Sequence, residues 1–225
     1  MSPSTQDVRI VVDPTHTVSG LFDTPDRATA CYVLAHGAGA GMRHALLAAV
    51  AKELGALGIA TLRFQFPYME NGSKRPDRPE LCHATVRAAV AHAASLAPSL
   101  PLFAGGRSFG GRMASQAQAV AALPGVRGLI FLGFPLHPAG KPSDTRAEHL
   151  FQVNVPLLFL QGAQDELAHL DLLRALVQRL GDRATLTLFE HADHSFHVPA
   201  RSGRKDAEVR AEMLRALAEW VARVA

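Results

Sequence analysis

Two periodicities alternate along this chain. Short runs that are apolar at nearly every position, such as Leu129-Ile-Phe-Leu132 and Leu157-Leu-Phe-Leu160, read as strands buried on both faces. Between them lie stretches whose apolar residues return every turn of a helix. Eight strands are expected: Val8 to Val12, Thr17 to Phe22, Ala30 to Ala35, Ile59 to Phe64, Pro101 to Gly105, Arg127 to Gly133, Pro156 to Gln161 and Ala184 to Phe189. The first two alternate polar and apolar residues, as an antiparallel edge hairpin does. Helical stripes follow the later ones. Leu46, Leu47, Val50, Leu54 and Leu57 share a face of a helix ending at Gly58, Thr85 to Leu96 stops before Pro98, and Arg112 to Ala122 and Leu167 to Leu180 follow. The last helix repeats Val209, Met213, Leu217, Trp220 and Val224, a core stripe. From the third strand the order is strand, helix, strand, helix. That predicts an α/β fold with a mostly parallel sheet covered by helices on both faces.

Composition narrows the classes. At 225 residues, with 48% hydrophobic and 19% charged residues, the chain is expected to form one domain with a single substantial core, spanning 1–225. A net charge of +3 and no basic block beyond Arg201-Ser-Gly-Arg-Lys205 argue against nucleic acid as a partner. No run is long and apolar enough to span a membrane, so none is expected as a partner. The start, Met-Ser-Pro-Ser-Thr-Gln-Asp, lacks the basic and apolar segments of a secretory signal, and Cys31 and Cys82 are far apart with no C-x-x-C. Reduced, buried thiols and a cytoplasmic location are expected.

One stretch departs from ordinary packing. Gly106-Arg107-Ser108-Phe109-Gly110 is a G-x-S-x-G placed after an apolar run and before a helix-like segment. A serine on so tight a turn takes strained backbone angles, and glycines on either side remove collisions with the returning chain. Its hydroxyl needs a base, and the base a carboxylate. Candidates occur after the seventh and eighth strands: Gln161-Gly-Ala-Gln-Asp165-Glu166, then His191-Ala-Asp-His194-Ser-Phe-His197. The order serine, acid, histidine suits this scaffold, and Asp165 and His194 are best placed among their neighbours. Asp165 also reads as the cap of a helix starting near Leu167. The three histidines match no zinc pattern, so no metal or other cofactor is expected.

The third strand runs into His36-Gly37-Ala38-Gly39-Ala40-Gly41. Small residues here let backbone amides approach a substrate oxygen, and the amides of Ala38 and Phe109 are the expected oxyanion donors. A dinucleotide fingerprint fails because Met42 and His44 stand where glycine is required.

These residues resemble the α/β-hydrolase family from Ala30 to the C-terminal helix, and within it the small, lidless, dienelactone-hydrolase-like branch. Phe66-Pro-Tyr-Met-Glu70, Gly106-Arg-Ser-Phe-Gly-Gly-Arg112, Gly133-Phe-Pro-Leu-His-Pro-Ala-Gly-Lys-Pro142 and Arg146-Ala-Glu-His-Leu150 are similar to a group of predicted hydrolases. Its animal relatives include a testis-expressed protein and a chromatin-complex subunit. The resemblance implies a Ser108, His194, Asp165 triad and an Ala38/Phe109 oxyanion hole. Dienelactone hydrolases proper carry cysteine at the elbow, so lactone specificity is not carried over.

A serine hydrolase of small esters or thioesters is thus expected, with a small-molecule substrate as partner and the oligomeric state left open. The alternatives are a non-catalytic scaffold that kept the fold, and a small peptidase. Phe134 to Val155 is too short for a cap domain, so the pocket is expected to be open, edged by Tyr68, Met69, Phe109, Leu136 and His137. Arg43, Lys74 and Arg107 are read as solvated surface.

Overall fold

A sheet of eight strands forms where the apolar runs predict one. In the computed structural model, which describes residues 4–225, these are β1 (Ser4–Val11), β2 (Thr17–Thr24), β3 (Ala30–Ala35), β4 (Ile59–Phe64), β5 (Leu102–Arg107), β6 (Val126–Leu132), β7 (Leu157–Gly162) and β8 (Ala184–Phe189). Met1 to Pro3, the head of the stretch read above for a signal, lie outside the described residues. The strand order is β1-β2-β4-β3-β5-β6-β7-β8. β1 and β2 form the expected antiparallel hairpin, β2 also meets β4 antiparallel, and every later pairing is parallel.

The helices are α1 (Ala45–Ala56), α2 (Pro67–Glu70), α3 (Pro79–Leu96), α4 (Phe109–Val120), α5 (Leu170–Leu180) and α6 (Asp206–Val224). Strand alternation sorts the core into two layers. Tyr32 and Leu34 of β3 and Ile130 and Leu132 of β6 face Leu47, Val50 and Leu54 of α1 and Met213, Leu217 and Trp220 of α6. Cys31, Val33 and Phe131, on the opposite face, join Val86 of α3, Met113 of α4 and Leu173 of α5. Trp220 meets Phe103 edge to face at 5.7 Å and is 3% exposed, so truncating it to alanine should cost about 3–5 kcal/mol.

Two helix starts, and the burial of one strand, differ from expectation for local reasons. α3 begins at Pro79 rather than Thr85, because proline at the first helical position is already set to helical φ. α5 begins at Leu170 rather than Leu167, because residues 165–168 form a separate turn closed by Ala168 N–H on the Asp165 carbonyl. β8 is half-exposed along most of its length, since it lies at the sheet edge with a neighbour on one side only.

Both thiols are buried and unpaired with each other, and burial pushes each up to about 12. No helix among the described residues is long and apolar enough to cross a membrane.

Candidate active site

β5 passes directly into α4 through Ser108, which holds φ 49° and ψ −116°, a region side-chain-bearing residues rarely occupy. Two glycines make the turn possible. A Cβ on Gly106 would come within 2.2 Å of the Ala35 carbonyl oxygen, and one on Gly110 within 2.6 Å of the His36 carbonyl oxygen. Any larger residue at either position would force β3 away from the elbow. Ser108 is thereby raised at the sheet's carboxyl edge, half-buried, with its N–H donating to the Leu132 carbonyl at 3.2 Å.

The candidate acid and base arrive from the loops after β7 and β8. His194 Nε2 lies 2.8 Å from Ser108 Oγ, and its Nδ1 lies 2.7 Å from Asp165 Oδ2. Carboxylate oxygen cannot donate, so Nδ1 carries the ring proton and Nε2 is left to accept from the serine hydroxyl. The Asp165 carboxylate has no exposed surface. Its Oδ1 accepts from Leu167 N–H at 2.8 Å, so the expected cap is real, though it caps a turn and not α5. Glu166, the rival acid, is exposed.

Gln161, at the head of the acid loop, belongs to the site beyond the expected triad. Fully buried at the end of β7, it donates from Nε2 to Asp165 Oδ2 and accepts the Phe134 N–H at 2.8 Å. A glutamine inside an otherwise apolar strand was the available signal. It is tolerated there because both ends of its amide are paired.

The other two histidines point elsewhere. His197 Nδ1 pairs with Asp206 at the start of α6, 3.0 Å away, and that hydrogen bond raises its pKa. His191 is exposed at φ 62°. The three rings therefore do not converge, and no cluster of metal-ligating side chains occurs among the described residues.

Of the expected oxyanion donors, Phe109 is the first residue of α4, where amides have no partner within the helix. Ala38 lies on the exposed loop after β3. That loop is held by His36, whose Nε2 accepts the Phe66 N–H at 3.1 Å while Nδ1–H donates to the Gly37 carbonyl at 2.8 Å. Burial lowers the His36 pKa to about 4, which keeps it neutral and able to do both.

The expected pocket rim needs correction. Tyr68, Leu136 and His137 are 2%, 0% and 3% exposed, so they are packing residues and do not edge an open pocket. Tyr68 stacks on Phe66 and meets Phe109 edge-on. His137 Nε2 accepts the His169 N–H at 2.9 Å, capping α5. Met69 is half-buried and lines a cavity of about 350 Å³ with Ala40, Gly41, Met42, Gln65 and Glu70, against the loop after β3. Between β6 and β7, Thr145–Gln152 folds as a 3-10 segment onto α4, and no cap domain stands over Ser108 among the described residues.

Residues 28–222 match the family model of the alpha/beta hydrolase domain. The fold is similar to that of dienelactone hydrolase from Anabaena variabilis (TM-score 0.78, 19% identity, 100% of this chain and 99% of that one). It is also similar to an alpha-beta serine hydrolase homologue from Coxiella burnetii (TM-score 0.75, 22% identity, 94% and 97%). A serine hydrolase without lid from Xanthomonas campestris aligns at TM-score 0.75 and 21% identity over 96% and 95%. With the family model covering most of its length, this chain belongs to the α/β-hydrolase family.

Proposed function

We propose that the chain is a serine hydrolase of small carboxylic esters or thioesters, a cytoplasmic enzyme that needs no cofactor. One observation carries the reading: the continuous hydrogen-bonded path from Ser108 Oγ through the His194 ring to a fully buried carboxylate. In the first half-reaction Ser108 Oγ attacks the acyl carbonyl as its proton passes to His194 Nε2. The imidazolium so formed is stabilised by Asp165, which also holds the ring in the required tautomer. Negative charge gathers on the carbonyl oxygen, facing the amides of Ala38 and Phe109 and the N-terminus of α4. His194 then gives its proton to the departing alcohol or thiol. Water repeats the sequence on the acyl-enzyme.

The absence of a cap supports a preference for short acyl groups. Each methylene taken out of water contributes about 0.8 kcal/mol, and without a roof the gain stops after the first few carbons. Turnover of p-nitrophenyl esters should peak at roughly two to four acyl carbons and decline beyond about eight. Efficiency rising steadily to sixteen carbons would overturn the short-acyl assignment. Intact-mass analysis with a fluorophosphonate probe tests the chemistry itself. Wild type should form one adduct that Ser108→Ala does not, and an unlabelled wild type would end the hydrolase reading.

A further inference from the structure

The side chain just before Ser108 does not behave as the solvated surface expected of it. Arg107 is half-buried, and its Nη2 donates to the His194 carbonyl oxygen at 3.3 Å and to Ser195 Oγ at 3.0 Å. A Cβ on Gly37 would meet its Nη1 at 3.4 Å, so the same guanidinium lies against the loop after β3. Its Nε is buried with no acceptor among the described residues. Burial disfavours the charge, and the nearby carboxylates of Asp165 and Asp193 oppose that penalty.

A half-buried guanidinium whose buried Nε–H is orphaned is costly, and an arginine that served only for solubility would sit in water. The bonds it makes show what is gained. Residues 190–199 contain no helix or strand and carry two non-glycine residues at positive φ, His191 at 62° and Phe196 at 60°. Such a segment has relaxed alternatives and keeps its shape only where its surroundings impose it. Asp193 braces the turn from within, accepting from Ser195 N–H at 2.7 Å and His197 N–H at 2.9 Å. Gln164 N–H reaches the Ala192 carbonyl at 2.9 Å and fixes the turn to the acid loop. None of these bonds ties the backbone of His194 to the elbow. Arg107 does.

We propose that Arg107 is the positioning residue of this site, holding the loop that carries His194 in register with Ser108 and with the loop after β3. The inference rests on the serine-hydrolase reading. In this role Arg107 acts through the His194 loop, its hydrogen bonds going to the His194 carbonyl and Ser195 Oγ. It sets the distance across which the proton moves, and displacements of about 1 Å in such a site can cost on the order of 10²-fold in rate.

The test uses the full-length protein with p-nitrophenyl acetate and the fluorophosphonate probe. Arg107→Met keeps the apolar stem and removes the donors. Its kcat should fall roughly 10- to 100-fold with KM within about threefold, and the labelling rate should fall in parallel. Arg107→Lys, which reaches one acceptor, should recover to within about tenfold of wild type. Ser195→Ala should cost about two- to fivefold in wild type and nothing further in Arg107→Met, because the two share one contact. A kcat unchanged in Arg107→Met overturns the proposal. So does a rise in KM alone, which would make Arg107 a substrate-binding group, or a Ser195→Ala loss equal in both backgrounds. Should Arg107→Met fail to fold, unchanged kcat in both Arg107→Lys and Ser195→Ala overturns it instead. An unlabelled wild type removes the hydrolase reading, whereas a labelled wild type with indifferent variants removes only the tether.

Discussion

Two serine–histidine hydrogen bonds sit about two helical turns apart on α4. At its N-terminus, Ser108 Oγ lies 2.8 Å from His194 Nε2; farther along, Ser115 Oγ lies 2.7 Å from His149 Nε2. Distance alone does not separate them. What lies behind each ring does. His194 Nδ1 faces the buried Asp165 carboxylate, while the His149 ring bonds the Arg146 backbone and lies near Arg112 and His83, cationic or neutral groups. A proton arriving on His194 is stabilised, and one arriving on His149 is repelled. Burial and these neighbours lower the His149 pKa to about 4. The serines differ too. Ser108 stands on strained backbone at the carboxyl end of β5, whereas Ser115 is 0% exposed within regular helix and shares its single hydroxyl proton between the His149 ring and the Arg112 carbonyl, 3.0 Å away. A nucleophile needs the pair, the acid and the elbow together; a pair by itself is a brace.

The largest expected effect breaks the two apart directly. Ser108→Ala should lower esterase kcat by roughly 10³-fold or more, and His194→Ala as much, with His191→Ala and His197→Ala costing about tenfold or less. Ser115→Ala should leave kcat within about twofold and lower stability by about 1–3 kcal/mol, measured by urea unfolding, because the His149 nitrogen loses its partner. Comparable kcat losses at 108 and 115 would erase the distinction.

Next comes the carboxylate, the group only one pair has. Asp165→Asn keeps the shape of the side chain but offers an N–H that can face the ring, favouring the wrong tautomer. Steady-state kinetics should show a kcat loss of about 10³- to 10⁴-fold. A loss below about tenfold would mean that the ring is held correctly without it. Gln161→Leu tests the same group one step back. Without its amide donor Asp165 keeps the Leu167 N–H and the His194 ring but loses a partner on Oδ2, and about 10- to 30-fold in kcat is expected, with KM little changed.

These comparisons also mark where the sequence was legible. The elbow could be read because G-x-S-x-G, an apolar run and a helix stripe are contiguous in the chain. Asp165 and His194 could be placed because their loops follow successive strands. Gln161, Arg107 and the Ser115–His149 brace depend on which side chains meet across elements, and no local pattern encodes that. The same limit applied to the pocket. Tyr68, Leu136 and His137 lie in loop-like sequence, yet all three are buried, Tyr68 against Phe66 and Phe109 and His137 against the turn before α5. Polar or aromatic residues beside a proline read as rim when their burial is decided by the fold of the segment that follows.

The last effect should leave turnover at neutral pH almost untouched and appear only in acid. His149 binds a proton near pH 6.5 when unfolded and near 4 when folded. Between those values the unfolded chain holds the extra proton, so stability is fully present above pH 6.5 and falls as the pH drops toward 4. One such histidine contributes a slope of up to about 1.4 kcal/mol per pH unit, and His36, lowered to about 4 as well, contributes in the same direction. His149→Gln keeps an amide within reach of Ser115 and cannot titrate. Urea unfolding of wild type and variant from pH 7 to 4.5 should therefore show a shallower acid slope in the variant, by up to about 1.4 kcal/mol per unit near pH 5, while His36, His83 and the lowered carboxylates of Glu70 and Asp206 supply what remains. His197 is the counterexample in the same protein, since its bond to Asp206 raises its pKa and its contribution is lost as the pH rises. Equal slopes in wild type and His149→Gln would mean that His149 becomes charged inside the fold. The brace would then carry a cation as the proposed catalytic pair does in its intermediate, and the contrast would rest on the elbow and on Asp165 alone.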